Sequence, residues 1–513
     1  MNDANPKSSV TFPKARERRW VLALCCLAAV HVLVFSAAFP FNNNMDECSH
    51  FDLVVKFAHG HLPRGLEPMC EEASQFILVY SSPEYRWPPA DLKAGTYPPP
   101  FWLRQTGSPA ETLKRAEAFQ QAAGSWRALK NLDVWKNYES SQQPLYYAIA
   151  AAWWRLGQAF GWEGLRALYW LRFLNGFFVA ALVGAGYGVA RLLFPENRMM
   201  RLGLPALLAL FPQQAFYSIQ NDVLSPLCFG VIFIGLIKLW RAERPDLRWG
   251  LVTGLALAAA FLVKLSNAPL LAVAAAVVLW KVFRLWKNGG LRASFPALLV
   301  LLFCAVLPVC AWLAWTKHAF GDFTGTAAKT DFLTWTRKPF AQWWHHPIFS
   351  PQGFVTFISG LLVTFWQGEF RWAGSPLDLP VPNAIYAVLS LSFLTLALVK
   401  LRLATAEQRG ALLLSLGFLA AGTAFLGYLS ISYDFGLCPN PSKEFPYFIA
   451  GRLLLGALIP FLLLFLYGMH GLLFRANTRI RFAALAAMLL FMIISEIITD
   501  RSVFASQYNW FHM

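Results

Sequence analysis

The sequence predicts an all-α polytopic membrane protein of about eleven transmembrane helices, N-terminus in and C-terminus out, with a large outer first loop containing interfacial helices. Three observations predict it. The 513 residues are 57% hydrophobic and only 14% charged, whereas soluble proteins average about 45–50% apolar and about 25% charged. So few charges could not cover several soluble cores. Apolar runs near the ~20 residues that cross a bilayer recur along the chain, and the connectors between them concentrate Lys and Arg at every second turn. The net charge of +16, which in a soluble protein would suggest a polyanionic partner, is therefore read as an orientation signal. No nucleic-acid partner is expected.

The first run, 20–39, follows Lys14, Arg16, Arg18 and Arg19, so 1–19 is a cytoplasmic basic tail and 20–39 the first transmembrane anchor. The small residues at 35–39 resemble a cleavage site, but a chain that crosses the membrane repeatedly keeps its first helix as an anchor. Residues 40–167 form an extracytoplasmic loop, polar, rich in Pro, with thirteen of the 28 carboxylates lying between 40 and 166. Within it 45–59 and 109–132 read as helices with one apolar face, and 83–100, with its Pro-Pro pairs, as irregular. The stretches 144–160 and 354–366 are too short to span, and the first carries Trp153, Trp154 and Arg155; both are expected to lie at the outer membrane surface.

A core transmembrane module, 168–315, contains the runs 168–194, 202–219, 223–240, 249–263, 269–283 and 294–315. A second extracytoplasmic loop with an interfacial helix covers 316–382. A C-terminal module, 383–513, adds 383–400, 410–433, 449–474 and 482–498. With the first run these make eleven, and strict alternation then puts Arg191/Arg198/Arg201, Lys238/Arg241/Arg244/Arg248, Lys281/Arg284/Lys287/Arg292, Lys400/Arg402/Arg409 and Arg475/Arg479/Arg481 all in the cytoplasm. Every basic cluster obeys the charge rule. Five cysteines lie in apolar runs as small hydrophobes; Cys48, Cys70 and Cys438 lie outside, where a disulfide is chemically allowed.

The residues that could carry chemistry stand at the outer ends of the runs. Asp46 and Glu47 follow the first span, and on a helix Asp46 shares a face with His50 at i,i+4. A carboxylate there is suited to act as a general base; it is equally a helix cap. Asn221-Asp222 breaks two apolar runs on the same side, again either a site or a turn-and-cap pair. Lys264 and Arg452 are cations on the disfavoured side of the membrane, which either bind an anion such as a lipid phosphate or snorkel to the headgroups. His59-Gly-His61 and His345-His346 show no familiar zinc spacing. No phosphate-binding glycine loop, nucleotide fingerprint or nucleophile elbow is present. No cofactor is expected, with a hydrated divalent cation between carboxylates the one open exception.

Asp46-Glu47 with Ser49-His50-Phe51, Gly60-His-Leu-Pro63, Gln143-Pro-Leu-Tyr-Tyr147, Asn221-Asp222, Lys264 and Gly451-Arg452 occur in the order seen in GT-C membrane glycosyltransferases. The chain resembles, within that superfamily, an uncharacterised bacterial branch of predicted membrane proteins related to protein O-mannosyltransferases and the lipid A aminoarabinose transferase. The match is fullest over residues 20–270. The resemblance implies a polyprenyl-phosphate-linked sugar as donor, with transfer on the outer face of the bacterial inner membrane to an acceptor that is a glycan, lipid or protein. By the same analogy Asp46 is the catalytic base with Glu47 beside it, and Asp222 orients the acceptor or the base. Lys264 and Arg452 face the departing phosphate, and His50, Tyr146, Tyr147 and Asn221 belong to the substrate site. In-line attack by the deprotonated acceptor gives inversion.

One departure is that aminoarabinose transferases carry a Glu-Lys pair before the interfacial helix, where this chain has Glu139-Ser-Ser-Gln-Gln-Pro144, leaving Lys136 or Arg104 to supply a cation. The segment 316–382, with Gly321-Asp322-Phe-Thr-Gly325 and Trp366-Gln-Gly-Glu369, matches no assigned feature and is a candidate lining of the acceptor site. The main alternative function is a transporter or flippase of lipid-linked saccharides, although no internal repeat of the kind such proteins show is visible. If the glycosyltransferase reading holds, Asp46, Asp222, Lys264 and Arg452 must converge. A separation beyond about two helix diameters, roughly 20–24 Å, would defeat it.

Overall fold

The computed structural model describes residues 14–92, 95–104, 114, 136–436, 438 and 441–512; of the expected helix 109–132 only Lys114 is among them. From the N-terminus, α1 (Lys14–Ala38) is followed by the short α2 (Glu47–Ala58), α3 (Glu71–Tyr80) and α4 (Pro144–Ala159). Then come α5 (Gly164–Leu193), α6 (Arg198–Ala209), α7 (Ser225–Arg241), α8 (Leu247–Val263), α9 (Ala268–Lys287) and α10 (Leu291–Phe320). Three short helices, α11 (Thr326–Phe332), α12 (Phe340–Trp343) and α13 (Pro351–Trp366), precede α14 (Pro380–Lys400), α15 (Ala406–Ser432), α16 (Leu458–Leu472) and α17 (Thr478–Thr499). The strands β1 (Thr336–Arg337), β2 (Arg371–Trp372), β3 (Ser375–Pro376) and β4 (Tyr433–Asp434) form two antiparallel ribbons, β1 with β4 and β2 with β3.

Nine helices among the described residues are long and apolar enough to cross a membrane. The expected eleven runs include two that fall short of that length, α6 and α8. The run 202–219 is not one helix: α6 stops at Ala209, and Pro212, which has no N–H to donate, stands before the 3-10 turn Gln214–Tyr217. The side chain of Gln213 donates to the carbonyls of Thr364 (3.1 Å) and Phe365 (2.7 Å) and accepts from the N–H of Ala215. Irregular backbone at this depth is tolerated only when protein satisfies it. The run still travels from end to end of the bundle, since Asn197 at its start meets His470 near the close of α16 and Ile219 at its finish reaches Glu47.

The core is centred on α16, buried continuously from Leu458 to Met469. By contrast α10 shows Leu299, Leu302 and Phe303 half exposed or more, the apolar surface a lipid-facing helix presents. The outer helix expected over 45–59 forms as α2, but it is buried on nearly every side rather than on one face. Its polar residues are paired accordingly: Lys56 Nζ lies 2.8 Å from Asp52, which also accepts from Asn137 and the Cys70 N–H. Helix α4 keeps Tyr146, Tyr147, Ala150, Ala151, Trp154 and Gly157 on its buried face. Trp153 and Trp170 stack at 4.2 Å and each donates its indole N–H to the other's carbonyl at 2.8 Å. Among the described residues no disulfide is formed.

Candidate functional site

The site begins with a clamp at the corner between α1 and α2. Arg172, an arginine midway along the apolar α5, is almost wholly buried. It donates to the carbonyls of Phe39, Pro40 and Ser36, and to both oxygens of Glu47 at 2.7 and 2.6 Å. Glu47 also accepts from the N–H groups of Asn42 (3.0 Å), Asn43 (3.2 Å) and Ile219 (3.0 Å) and from the Asn43 amide (2.9 Å). A buried charge is tolerable only when so paired. The clamp therefore fixes two chain segments against each other, the entry to α2 and the segment leading to Asn221-Asp222.

Asp46 occupies the N-cap position of α2 with φ 61°, a left-handed backbone unusual for a side chain and one that costs of order 1–3 kcal/mol. Its side chain makes no cap hydrogen bond, so the capping alternative does not hold. Instead Asp46 Oδ1 accepts from the Tyr138 hydroxyl and Oδ2 lies 3.6 Å from Arg452 Nη2. Asp222 likewise caps nothing. It accepts from Lys264 Nζ at 2.6 Å and faces Arg452 Nε at 3.6 Å. A third carboxylate, Glu369, stands 3.4 Å from Arg452 Nη1. Arg452 thus lies among three carboxylates, and the four residues expected to converge are linked in one chain of ion pairs, Asp46 to Arg452 to Asp222 to Lys264.

Neighbouring turns are tied to this cluster. Asn221 donates to Gln142 (3.0 Å) and to the Val263 carbonyl (3.0 Å), and Gln143 accepts from the Leu265 N–H (2.9 Å), so the turn holding Lys264 is fixed from two sides. Burial lowers the Lys264 pKa while the carboxylate of Asp222 opposes the shift. Burial raises that of Glu369, with Arg452 opposing it. Asn221 Oδ1 and Arg452 Nε are buried with no hydrogen-bond partner among the described residues, and such atoms commonly await a ligand or water.

His50 pairs through its side chain with Tyr147, not with Asp46. Its Nδ1 meets the Tyr147 hydroxyl at 2.6 Å, and burial drives its pKa down to about 3, leaving a neutral imidazole. Tyr146 packs edge-on against Tyr147 in the same buried layer. The place expected for a cation beside Glu139 is filled by Lys329 of α11, 2.5 Å away, with its ammonium 5.5 Å from the Tyr138 ring centroid. Burial disfavours the Glu139 carboxylate, but Lys329, His50 and the Gln142 hydrogen bond together outweigh it and hold the group at about 2. Lys136 is exposed and pairs through its backbone with Pro68; the side chain of Arg104 lies outside the described residues. His59 and His61 pair with Glu72 and Glu67 at 2.7 and 2.6 Å. Among the described residues no group of three or more His, Cys, Asp or Glu is arranged to hold a metal ion.

Tyr138, Lys329 and Arg172 were not among the residues expected to form the site, and Glu139 and Glu369 were noted only as parts of segments, without roles of their own. Arg172 carried a legible signal, since an arginine within a span is costly unless it has a task. The others come from the two outer loops and meet only in three dimensions.

Two solved structures align with the chain at low similarity. The apo crystal structure of an oligosaccharyltransferase from Archaeoglobus fulgidus aligns with a TM-score of 0.43 at 12% identity, covering 96% of this chain and 57% of that one. The oligosaccharyltransferase AglB of the same archaeon, solved with an inhibitory peptide and a dolichol-phosphate, gives 0.39 at 13% identity, covering 95% and 56%. The chain spans little more than half the length of these proteins. No curated protein matches it significantly. The family described as predicted membrane protein DUF2142 matches residues 27–434, and the chain belongs to that family.

Proposed function

We propose that the protein is a GT-C-type glycosyltransferase of the bacterial inner membrane that moves a sugar from a polyprenyl-phosphate-linked donor to an acceptor hydroxyl on the extracytoplasmic face, with inversion. The observation that carries this reading is one arginine shared among Asp46, Asp222 and Glu369, with Lys264 on the same oxygen of Asp222 that faces the arginine. Exposure separates the roles. The side chains of Asp46 (27%) and Glu369 (22%) are partly exposed and that of Asp222 is 2% exposed, so an acceptor can reach the first two, and Asp46 is assigned as the base.

In this mechanism Asp46 takes the proton of the acceptor hydroxyl as its oxygen attacks the anomeric carbon. The bond from that carbon to the phosphate oxygen breaks, and the polyprenyl phosphate leaves with the electron pair. Arg452 and Lys264 stabilise the charge that develops on it, a contribution that in other sites reaches about 3–4 kcal/mol per donor. Glu47 acts through position, holding Asp46 and the Asn221-Asp222 segment to one frame. His50, Tyr146, Tyr147 and Asn221 shape the wall behind them.

The test is sugar transfer from polyprenyl-phosphate sugars by wild type and by Asp46→Asn in reconstituted vesicles. Transfer by wild type and its loss in D46N, with unchanged thermal stability, is the expected result. If no donor yields product while lipid-linked sugar crosses the vesicle membrane, the protein is a transporter and the enzyme reading falls.

A further inference from the structure

The end of the bundle that carries Asp46 holds a second concavity. Helix α11 places Lys329 on Glu139, and the same loop runs on into β1, which pairs with β4 beside a cleft of about 470 Å³. Lys338, Gln342, His345, Tyr433, Phe435 and Lys443 line it. Its walls are fixed: the Lys338 N–H donates to the Ser432 carbonyl (2.9 Å), and Trp343 Nε1 donates to the Lys338 carbonyl (3.1 Å). The ring of His346 accepts from the Ile348 N–H through Nδ1 (3.0 Å), which leaves Nε2 to donate to the Pro446 carbonyl (3.0 Å).

Charge and surroundings indicate what the cleft receives. Among the described residues neither Lys338 nor Lys443 forms an ion pair, in contrast to Lys264, Lys329 and Arg452 at the same end, each held by an acid. The acid in the lining, Asp434, accepts from the Gly436 N–H at 3.1 Å. Beside the cleft, Phe340 (64% exposed), Trp344 (63%) and Phe349 (53%) form an open aromatic collar. Trp343 anchors it on Tyr428, 5.6 Å away in the last turns of the spanning helix α15. Aromatic side chains at the end of a span sit at headgroup depth, and lysines there meet lipid phosphate.

We propose that this cleft binds the phosphate headgroup of an anionic lipid in the outer leaflet. Lys338 and Lys443 meet the phosphate from opposite walls, the Gln342 amide supplies a neutral donor, and the collar lies along the acyl chains. The site is independent of glycosyl transfer.

The full chain in neutral detergent is titrated with phosphatidylglycerol or with phosphatidylcholine of the same acyl chains, and retained lipid is counted by native mass spectrometry. Wild type is expected to retain one more phosphatidylglycerol than the double variant K338Q/K443Q, while K338R/K443R and D46N keep it. Phosphatidylcholine is expected to show no such difference, and a large excess of glycerol 3-phosphate is expected to leave the lipid in place. Should the double variant fail to fold, the singles K338Q and K443Q are each expected to release the lipid at lower detergent. Equal retention in wild type and glutamine variants, or equal retention of the two lipids at this site, overturns the proposal. Displacement by glycerol 3-phosphate also overturns it and assigns the cleft to a soluble phosphate compound.

Discussion

Asp46 and Glu47 are adjacent carboxylates with opposite circumstances. Glu47 accepts hydrogen bonds from Arg172 and from three backbone N–H groups in full burial, whereas Asp46 meets a tyrosine hydroxyl and one distant guanidinium at the surface. Removing one partner of a buried pair leaves the other charge uncompensated, at a cost of about 3–5 kcal/mol. Glu47→Gln is therefore expected to lower thermal stability markedly and to lose activity in proportion to folded protein, and D46N to retain the wild-type melting temperature while inactive. A melting curve beside a transfer assay separates the two, and a stable but inactive E47Q would move the base to Glu47. Arg452 makes a different prediction, because its three nitrogens address three carboxylates. A lysine keeps the charge but not the fork, so Arg452→Lys is expected to reduce kcat about 100-fold with little change in KM; an unaltered kcat would remove Arg452 from the leaving-group site. Asp46, Asp222, Lys264 and Arg452 were legible in the sequence as candidates, being charges at the outer ends of apolar runs, although each also had a cap, turn or snorkelling explanation. Lys329 was not, since nothing local distinguishes a loop lysine that meets Glu139 across the fold from one that meets water.

Among the elements, the outer loop shows how irregular segments are held. The Pro-rich stretch 83–100 was expected to lack regular structure, and its described residues form only the brief 3-10 turns Pro83–Tyr85 and Pro89–Asp91. What holds it comes from far along the chain. Glu84, buried, accepts from the hydroxyls of Ser82 and Ser506, its carbonyl accepts from the Ala373 N–H, and Tyr508 donates to the Pro98 carbonyl at 2.6 Å. Period and composition announce that such a segment is not a helix, but carry no information about a partner four hundred residues away. Burial raises the Glu84 pKa from 4.5 to about 7, against the pull of the Ser506 and Ser82 hydrogen bonds. A raised pKa means the folded protein holds the proton more tightly than the unfolded chain. The resulting stabilisation is complete below about pH 4.5 and lost as pH rises through about 7. The segment 506–509 is accordingly expected to exchange its amide hydrogens faster, beyond the intrinsic base dependence, at pH 8 than at pH 5. Glu84→Gln, neutral throughout, should abolish that difference; a pH effect that survives the substitution would place its origin elsewhere.

For the whole molecule, the carboxylate cluster and the basic connectors occupy opposite ends of the bundle. Asp246 and Arg248 lie at the start of α8 and Lys264 just past its end, so one helix separates a basic connector from the candidate site. Glu17 pairs with Arg201 at the connector end, far along α1 from the Glu47 clamp. The charge rule, which places short basic loops in the cytoplasm, predicts from these connectors a site that faces outward, as the proposed function requires. Composition and run length made the helical membrane fold legible, but α6 and its irregular continuation were expected as one helix, because hydropathy measures burial and cannot register where a buried backbone changes its hydrogen bonding. The orientation is open to direct test. Alkaline phosphatase, which folds only outside the cytoplasm, is expected to be active when inserted after Lys443 and inactive after Arg244, and green fluorescent protein to give the reverse pattern. The opposite result would turn Asp46 and Arg452 toward the cytoplasm, where the donor would have to be a soluble activated sugar or an inward-facing lipid, and the proposed function would have to be abandoned for one drawing on cytoplasmic substrates.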